Sequence, residues 1–195
     1  DRPFNFSALN NAAVKEAQGE LIGLINNDIK VISSDWLSEM VSLAIQPGVG
    51  AVGARLWYPD RTLQHGGVIT GLKGCAEHSH KGLRRGLPGY FARAELLQSF
   101  SAVTGACLVI KKAIYEEVGG LNEKDLPIAF NDVDFCLRVR EAGYRNLWTP
   151  YAELWHCESA TRGFKDSTEK SARFAGENDY MKKQWGNRLM NDPAY

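Results

Sequence analysis

The sequence predicts an α/β fold, a mostly parallel sheet flanked by helices, and three observations lead to it. Short unbroken apolar runs (Leu21-Ile22-Gly23-Leu24-Ile25, residues 49–54 and residues 106–110) have the character of strands covered on both faces. Between them lie stretches whose apolar residues recur at helical spacing. The chain has 195 residues, 44% of them hydrophobic, which is enough for one domain with a core of its own. Strands that alternate with helices favour a single α/β domain, and no repeat, low-complexity tract or internal linker interrupts the pattern.

The elements follow in order. Residues 7–17 form a helix that Asn5 or Ser7 can cap, with Gly19 suited to its C-terminal turn. The strand 21–25 closes on polar Asn26-Asn27-Asp28. A helix from Ser34 or Asp35 to Ile45 stops at Pro47-Gly48. In the strand 49–54, Gly50 and Gly53 imply close approach of other groups to the backbone. Tyr58-Pro59-Asp60-Arg61 is a turn, and residues 63–69 return as a strand. Residues 70–91 are rich in Gly, Lys, Arg and His, have no period, and read as a long surface loop of the kind that often carries function. A strand at 106–110, a short helix at 111–118 and a helix at 132–142 come next. Two short extended segments follow, one before Pro150 and one ending at Trp155-His156. A final helix covers 166–185, with Phe174, Met181 and Trp185 near one face.

Charge and cysteine content narrow the classes. Lys+Arg and Asp+Glu number 23 each, so there is no global field to draw nucleic acid. No apolar run approaches the ~20 residues that span a bilayer. The four cysteines form no Cys-x-x-Cys pair and sit among apolar or mixed neighbours, which points to reduced, partly buried thiols and a cytoplasmic compartment. The chain opens Asp1-Arg2-Pro3-Phe4 and runs almost at once into a helix, as a piece of a longer domain would.

Two acidic sites carry the chemistry. Asn26-Asn27-Asp28 ends a strand, where ligands gather in open α/β sheets, and its oxygens suit a hard cation such as Mg²⁺ or Mn²⁺. A turn capped by its own Asn and Asp explains the same residues. Asp132 and Asp134 lie at a helix N-terminus, where the macrodipole favours anions. Asp134 has Arg138 four residues on for an ion pair. Asp132 has no such partner and can serve as a general base toward a bound hydroxyl, or only as a cap. His156 is a candidate metal ligand or a hydrogen-bonded core histidine. Arg162 is a candidate phosphate partner or a surface arginine. Cys75, His78 and His80 make a partial zinc set without a fourth ligand. There is no P-loop and no nucleophile elbow.

Together these residues resemble a known family. Phe4-Asn5-Phe6-Ser7 with Asn10-Asn11, Gly19-Glu20 with Leu24 to Asp28, Gln64-His65-Gly66-Gly67, Thr104 to Leu108, Val118 to Leu121, Asn131 to Arg138 and Trp155 to Ser159 keep the order of family 2 glycosyltransferases. The likeness is to bacterial enzymes of O-antigen and related surface polysaccharide synthesis, including rhamnosyltransferase-like members. It implies a GT-A fold of which residues 1–195 are roughly the C-terminal two-thirds, without the first, nucleotide-binding strands. It implies transfer with inversion from a nucleotide-diphosphate sugar to a saccharide or lipid-linked saccharide hydroxyl, with Mg²⁺ or Mn²⁺. Asn26-Asn27-Asp28 falls on the family's Asp-x-Asp position, with Asn26 in place of the first acid. Asp28 and His156 would then hold the metal, Asn26, Asn27 and Arg162 the donor. Asp132 falls on the catalytic aspartate, and Asn131 replaces the glutamate before it. The resemblance leaves open peripheral association of the parent protein with the inner face of the membrane. Without the first strands the piece is expected to bind donor poorly, to have little activity and to self-associate. A non-catalytic carbohydrate-binding or scaffolding domain of the same fold is the alternative.

Overall fold

The computed structural model describes residues 3–157 and 168–193. Helix α1 (Phe6–Glu16) is capped by Asn5, whose Oδ1 accepts from the Ala8 amide at 2.8 Å. The other capping candidate, Ser7, is buried and donates instead to the Leu126 carbonyl. Strands β1 (Leu21–Ile25) and β2 (Ile29–Val31) flank the Asn26-Asn27-Asp28 turn. Then come α2 (Trp36–Ala44), β3 (Val49–Trp57), β4 (Leu63–His65), β5 (Val68–Thr70), β6 (Ala76–His78) and β7 (Gln98–Phe100). The chain ends with β8 (Cys107–Lys111), α3 (Lys112–Glu117), α4 (Asn131–Glu141), β9 (Arg145–His156), α5 (Thr168–Trp185) and α6 (Asn187–Met190). No described helix is long and apolar enough to cross a membrane.

The central sheet runs β1-β8-β3-β9-β2, with β4 on β3 and β7 on β9; β5 and β6 pair separately. The expectation of a mostly parallel sheet needs correcting. Among the described pairings only β3 with β9 is parallel, and β8 lies antiparallel between β1 and β3. Strands β1, β3 and β9 point the same way. α2 lies on the path from β1 to β3, and α4 directly precedes β9. The oppositely directed β2, β4 and β8 are reached through turns and loops, which carry no helical period for the sequence to show.

Other boundaries shift for local reasons. The strand 63–69 is two strands, because the chain turns at Gly66-Gly67 and β5 leaves to pair with β6. Gly67 has φ +91°, and a Cβ there would lie 2.3 Å from the Phe100 ring, so this corner takes no side chain. The two segments before and after Pro150 are one strand, β9. Its register against β3 jumps from Thr149 to Glu153 between Ala54 and Arg55, and this bulge takes up Pro150, which has no amide to donate. The span 70–91 is not structureless, since β6 crosses it.

The sheet is covered on both faces. On one, Met40 and Ala44 of α2 pack against Val52, Leu56 and Leu154. On the other, Phe135 and Val139 of α4 and Met181 and Trp185 of α5 enclose Trp148. Gly50 and Gly53 allow the close approach the sequence implied: added Cβ atoms would meet Val139 Cγ1 at 2.3 Å and Val103 Cβ at 2.6 Å. Cys75, Cys107 and Cys136 are buried free thiols and Cys157 is partly exposed. Burial pushes the Cys107 and Cys136 thiols up to about 12.

Helix α5 is tied to the body by two buried carboxylates. Asp134 accepts from Trp185 Nε1 at 3.0 Å and from Arg138 Nε and Nη2 at 2.9 and 2.8 Å, the expected i,i+4 pair. Glu177 Oε1 accepts from the Ile128 and Ala129 amides at 2.8 and 3.0 Å, fixing the approach to α4. Glu177→Ala strands both amides in a part-buried site and is expected to cost about 1–3 kcal/mol, read as a lower urea midpoint at unchanged m-value.

Candidate active site

The first half of the site is made by zipping β2 onto the end of β9. Ile29 pairs with His156, and the Cys157 amide donates to the Asp28 carbonyl at 3.0 Å. This brings Asp28 and His156 together although they are 128 residues apart in sequence: His156 Nε2 lies 3.1 Å from Asp28 Oδ1. Asn26 Nδ2 is 3.4 Å from the same ring nitrogen, and the other ring nitrogen, Nδ1, is 2.7 Å from Gln64 Oε1. Asp28 Oδ1 is buried and accepts no hydrogen bond. A carboxylate oxygen in that state, beside an imidazole nitrogen, fits a divalent cation, for which these would be two of the protein ligands.

The second half is the start of α4. Phe130 precedes it with φ +58°, a left-handed conformation that costs a non-glycine residue about 1–3 kcal/mol and turns the chain sharply into the helix. Asn131 is buried, and its Nδ2 donates to the Ile128 carbonyl at 2.9 Å, so the residue standing where the resemblance has glutamate braces the backbone. Asp132 is half-buried. Its Oδ2 accepts from the Gly105 amide and its Oδ1 from the Val133 amide, both at 2.9 Å. Each oxygen keeps a lone pair, and the two amides orient the carboxylate.

Asp28 and Asp132 line one cleft of about 850 Å³, along with Asn26, Asn27, His156, Thr104, Gly105 and Phe130. The segment between β7 and β8 joins the halves: the Gly105 amide holds Asp132, and the Ala106 carbonyl accepts from the Asn26 amide at 2.9 Å. Part of the basic loop lines the cleft as well, through Lys73, Glu77, His78 and Lys81. Glu77 is no rival base. Burial raises its pKa, but a hydrogen bond from Lys73, the His78 amide and the charges of Lys81 and Lys73 outweigh that and hold it down to about 2. Its oxygens are taken by Lys73 at 2.5 Å and Lys81 at 3.4 Å.

Of the sequence candidates, Asn26, Asn27, Asp28, Asp132 and His156 come together in this cleft. Arg162 lies outside the described residues. The partial zinc set does not converge. His78 Nδ1 is 2.8 Å from His65 Nδ1, the His80 ring lies against Gly89, and Cys75 is buried with its thiol pushed up to about 11 by desolvation. Among the described residues no three His, Cys, Asp or Glu side chains form a metal group. Gln64 and His65 were missed as functional candidates. The stretch Gln64-His65-Gly66-Gly67 signals the family resemblance, but the burial of both side chains in β4 and their contacts become visible only after folding.

Comparison with known proteins decides the family. The family described as Glycosyltransferase like family 2 matches residues 6–176. The chain belongs to glycosyltransferase family 2. This family 2 domain is 58% identical over 194 residues to protein y4gI of Sinorhizobium fredii, covering 100% of this chain and 21% of that protein. It is 40% identical over 163 residues to the O-antigen biosynthesis protein RfbC of Myxococcus xanthus, covering 83% of this chain and 13% of that protein. The chain thus spans a small part of the relatives it matches. Among solved structures it resembles the mannosyltransferase PcManGT of Pyrobaculum calidifontis in complex with GDP-Man and Mn²⁺, with TM-score 0.59, 16% identity, and coverage of 100% of this chain and 46% of that one. It also resembles GalNAc-T7 with UDP, GalNAc and Mn²⁺, with TM-score 0.69, 11% identity, and coverage of 97% and 36%. The α/β class expected from the sequence holds, as the GT-A fold.

The family 2 domain carries a pH-sensitive element beside the site. His65 is fully buried, and desolvation, then His78 and His156, push its pKa well below the usual histidine range. His80 is lowered by burial and by Arg93. Both bind a proton less readily in the fold than in the unfolded chain, which protonates near pH ~6.5. The unfolded state therefore binds more protons as pH falls, and stability drops below that pH by at most about 1.4 kcal/mol per unit per group. Denaturant midpoints at pH 7.5 and 5.5 are expected to show the drop, and His65→Asn to make it shallower.

Proposed function

We propose that this chain forms the metal- and acceptor-facing part of an inverting glycosyltransferase. It would move a sugar from a nucleotide-diphosphate donor to a hydroxyl of a saccharide or lipid-linked saccharide acceptor, in bacterial surface polysaccharide synthesis. The observation that carries this reading is the shared cleft, in which an orphaned carboxylate–imidazole pair and a helix-held carboxylate face one space. The GDP-Man and Mn²⁺ bound by PcManGT, the UDP, GalNAc and Mn²⁺ bound by GalNAc-T7, and the O-antigen biosynthesis named for RfbC support the choice of donor, metal and setting.

The mechanism assigns each group a task. Asp28 and His156 would hold Mg²⁺ or Mn²⁺, which supplies positive charge opposite the diphosphate oxygens. Asn26 and Asn27, at the same strand end, offer amide groups to the donor. Asp132 accepts the proton of the acceptor hydroxyl as that oxygen attacks the anomeric carbon from the face opposite the leaving diphosphate. One bond forms while one breaks, and configuration inverts. The Gly105 and Val133 amides fix the carboxylate so that its free lone pairs keep their aim as the proton arrives. Arg162 is a further candidate for the diphosphate.

Asp132→Asn in the full-length protein keeps the size and one of the two amide contacts but removes the basicity. Turnover is expected to fall roughly 10²–10⁴-fold, with donor binding by calorimetry unchanged. Turnover within twofold of wild type would refute the assignment of the base.

A further inference from the structure

The imidazole of His156 has two ring nitrogens, and only one of them can serve the role proposed above. Three neighbours report which. At Nδ1 stands an acceptor, Gln64 Oε1, at 2.7 Å. At Nε2 stands a donor, the Asn26 amide nitrogen, at 3.4 Å. The neutral tautomer with the proton on Nδ1 and a bare lone pair on Nε2 meets both contacts. The third neighbour is Asp28 Oδ1, 3.1 Å from Nε2 and without any hydrogen-bond donor. In this tautomer a lone pair and a carboxylate oxygen face each other, an arrangement that repels unless a cation lies between them. The opposite tautomer would put an Nε2–H on Asp28 and close the site with an ordinary hydrogen bond.

We propose that Gln64 is a positioning residue of this glycosyltransferase: by accepting the Nδ1–H of His156 it holds the Nε2 lone pair toward Asp28 and so keeps the pair open for a divalent cation. The inference rests on the metal role proposed for Asp28 and His156. Gln64 suits the task because it cannot move. It is buried in β4, which is pinned to β3 through the pairs Leu56–His65 and Trp57–Leu63. An oxygen carried by so fixed a strand sets both the tautomer and the rotation of the ring, as outer partners of metal-bound histidines do. Asn26 adds to the effect. In the position where the resemblance has an acid, its amide can donate to Nε2 in the metal-free state, and an acid could not.

The test uses the full-length protein and Mn²⁺ as probe, with free Mn²⁺ followed by electron paramagnetic resonance. Gln64→Leu keeps the size of the side chain and removes the acceptor, and it is expected to weaken Mn²⁺ binding roughly 10–100-fold. Gln64→Glu keeps an acceptor oxygen and is expected to restore most of it. In wild-type protein without metal at pH 8, the ¹⁵N spectrum of His156 is expected to show a protonated Nδ1 and a bare Nε2. This readout does not depend on any variant folding. A protonated Nε2 in that spectrum would overturn the proposal, as would wild-type Mn²⁺ affinity in Gln64→Leu. Asp28→Asn separates the two levels. If it leaves Mn²⁺ binding intact, the metal site itself is wrong. If it abolishes binding while Gln64→Leu does not, only the role of Gln64 fails.

Discussion

Everything in the site depends on three consecutive backbone amides in the segment between β7 and β8. The Val103 amide donates to Cys136 Sγ at 3.5 Å, Thr104 to His65 Nε2 at 3.4 Å and Gly105 to Asp132 Oδ2 at 2.9 Å. One extended stretch thereby grips α4 twice and β4 once. The next residue, Ala106, takes the Asn26 amide and so reaches the turn that carries Asp28. An amide of this kind is costly to leave unpaired when buried, so each bond constrains the distance between elements that share no other covalent or local tie. The spacing of the two carboxylates across the cleft is in this sense a backbone property.

That division explains what could be read in the sequence. Asp28 and Asp132 were legible because each ends or begins an element, where polar residues stand out against an apolar pattern. His156 was legible by its place after the run that became β9. The parallel β1, β3 and β9 follow from strands linked through helices, but the insertion of antiparallel β8 between β1 and β3 leaves no periodic trace. The contacts of Gln64, His65 and Glu177 were illegible for a related reason. Gln64 meets a ring 92 residues away, His65 a backbone amide 39 residues away as well as nearby His78, and Glu177 two backbone amides 49 and 48 residues away, all set by packing. Glu177 with Arg173 at i−4 reads as a surface ion pair until the fold turns the carboxylate to those amides.

The two asparagines that stand where the resemblance has acids show one physical trend. Asn131 spends its side chain on the Ile128 carbonyl, and Asn26 faces an imidazole nitrogen as a donor. Either position filled by a carboxylate would add a negative charge to a cleft that already holds Asp28, Asp132 and Glu77. Like charges disfavour one another's ionised forms. The cleft around Asp132 therefore carries less negative charge. Among the described residues the hydrogen-bond donors to its carboxylate are two neutral amides, which orient it.

Asp132 and Asp134 make the last point, because sequence places them almost side by side and the fold gives them opposite lives. Two residues on an α-helix differ by about 200° around its axis. When α4 turns Asp132 to the cleft, Asp134 must face the interior, where Arg138 and Trp185 close around it and leave it 2% exposed. Arg138 also donates to the Val118 carbonyl, so the pair is anchored at the end of α3 as well as to α5. Neutralising Asp134 would leave a partly exposed guanidinium and a buried indole N–H without their partner, a structural loss that spreads to α5 and through Glu177 to the turn before α4. Asp132 and Asp134 are thus coupled through the same helix start. The helix presents Asp132 to the cleft while its opposite face is locked by the ion pair of buried Asp134 with partly exposed Arg138.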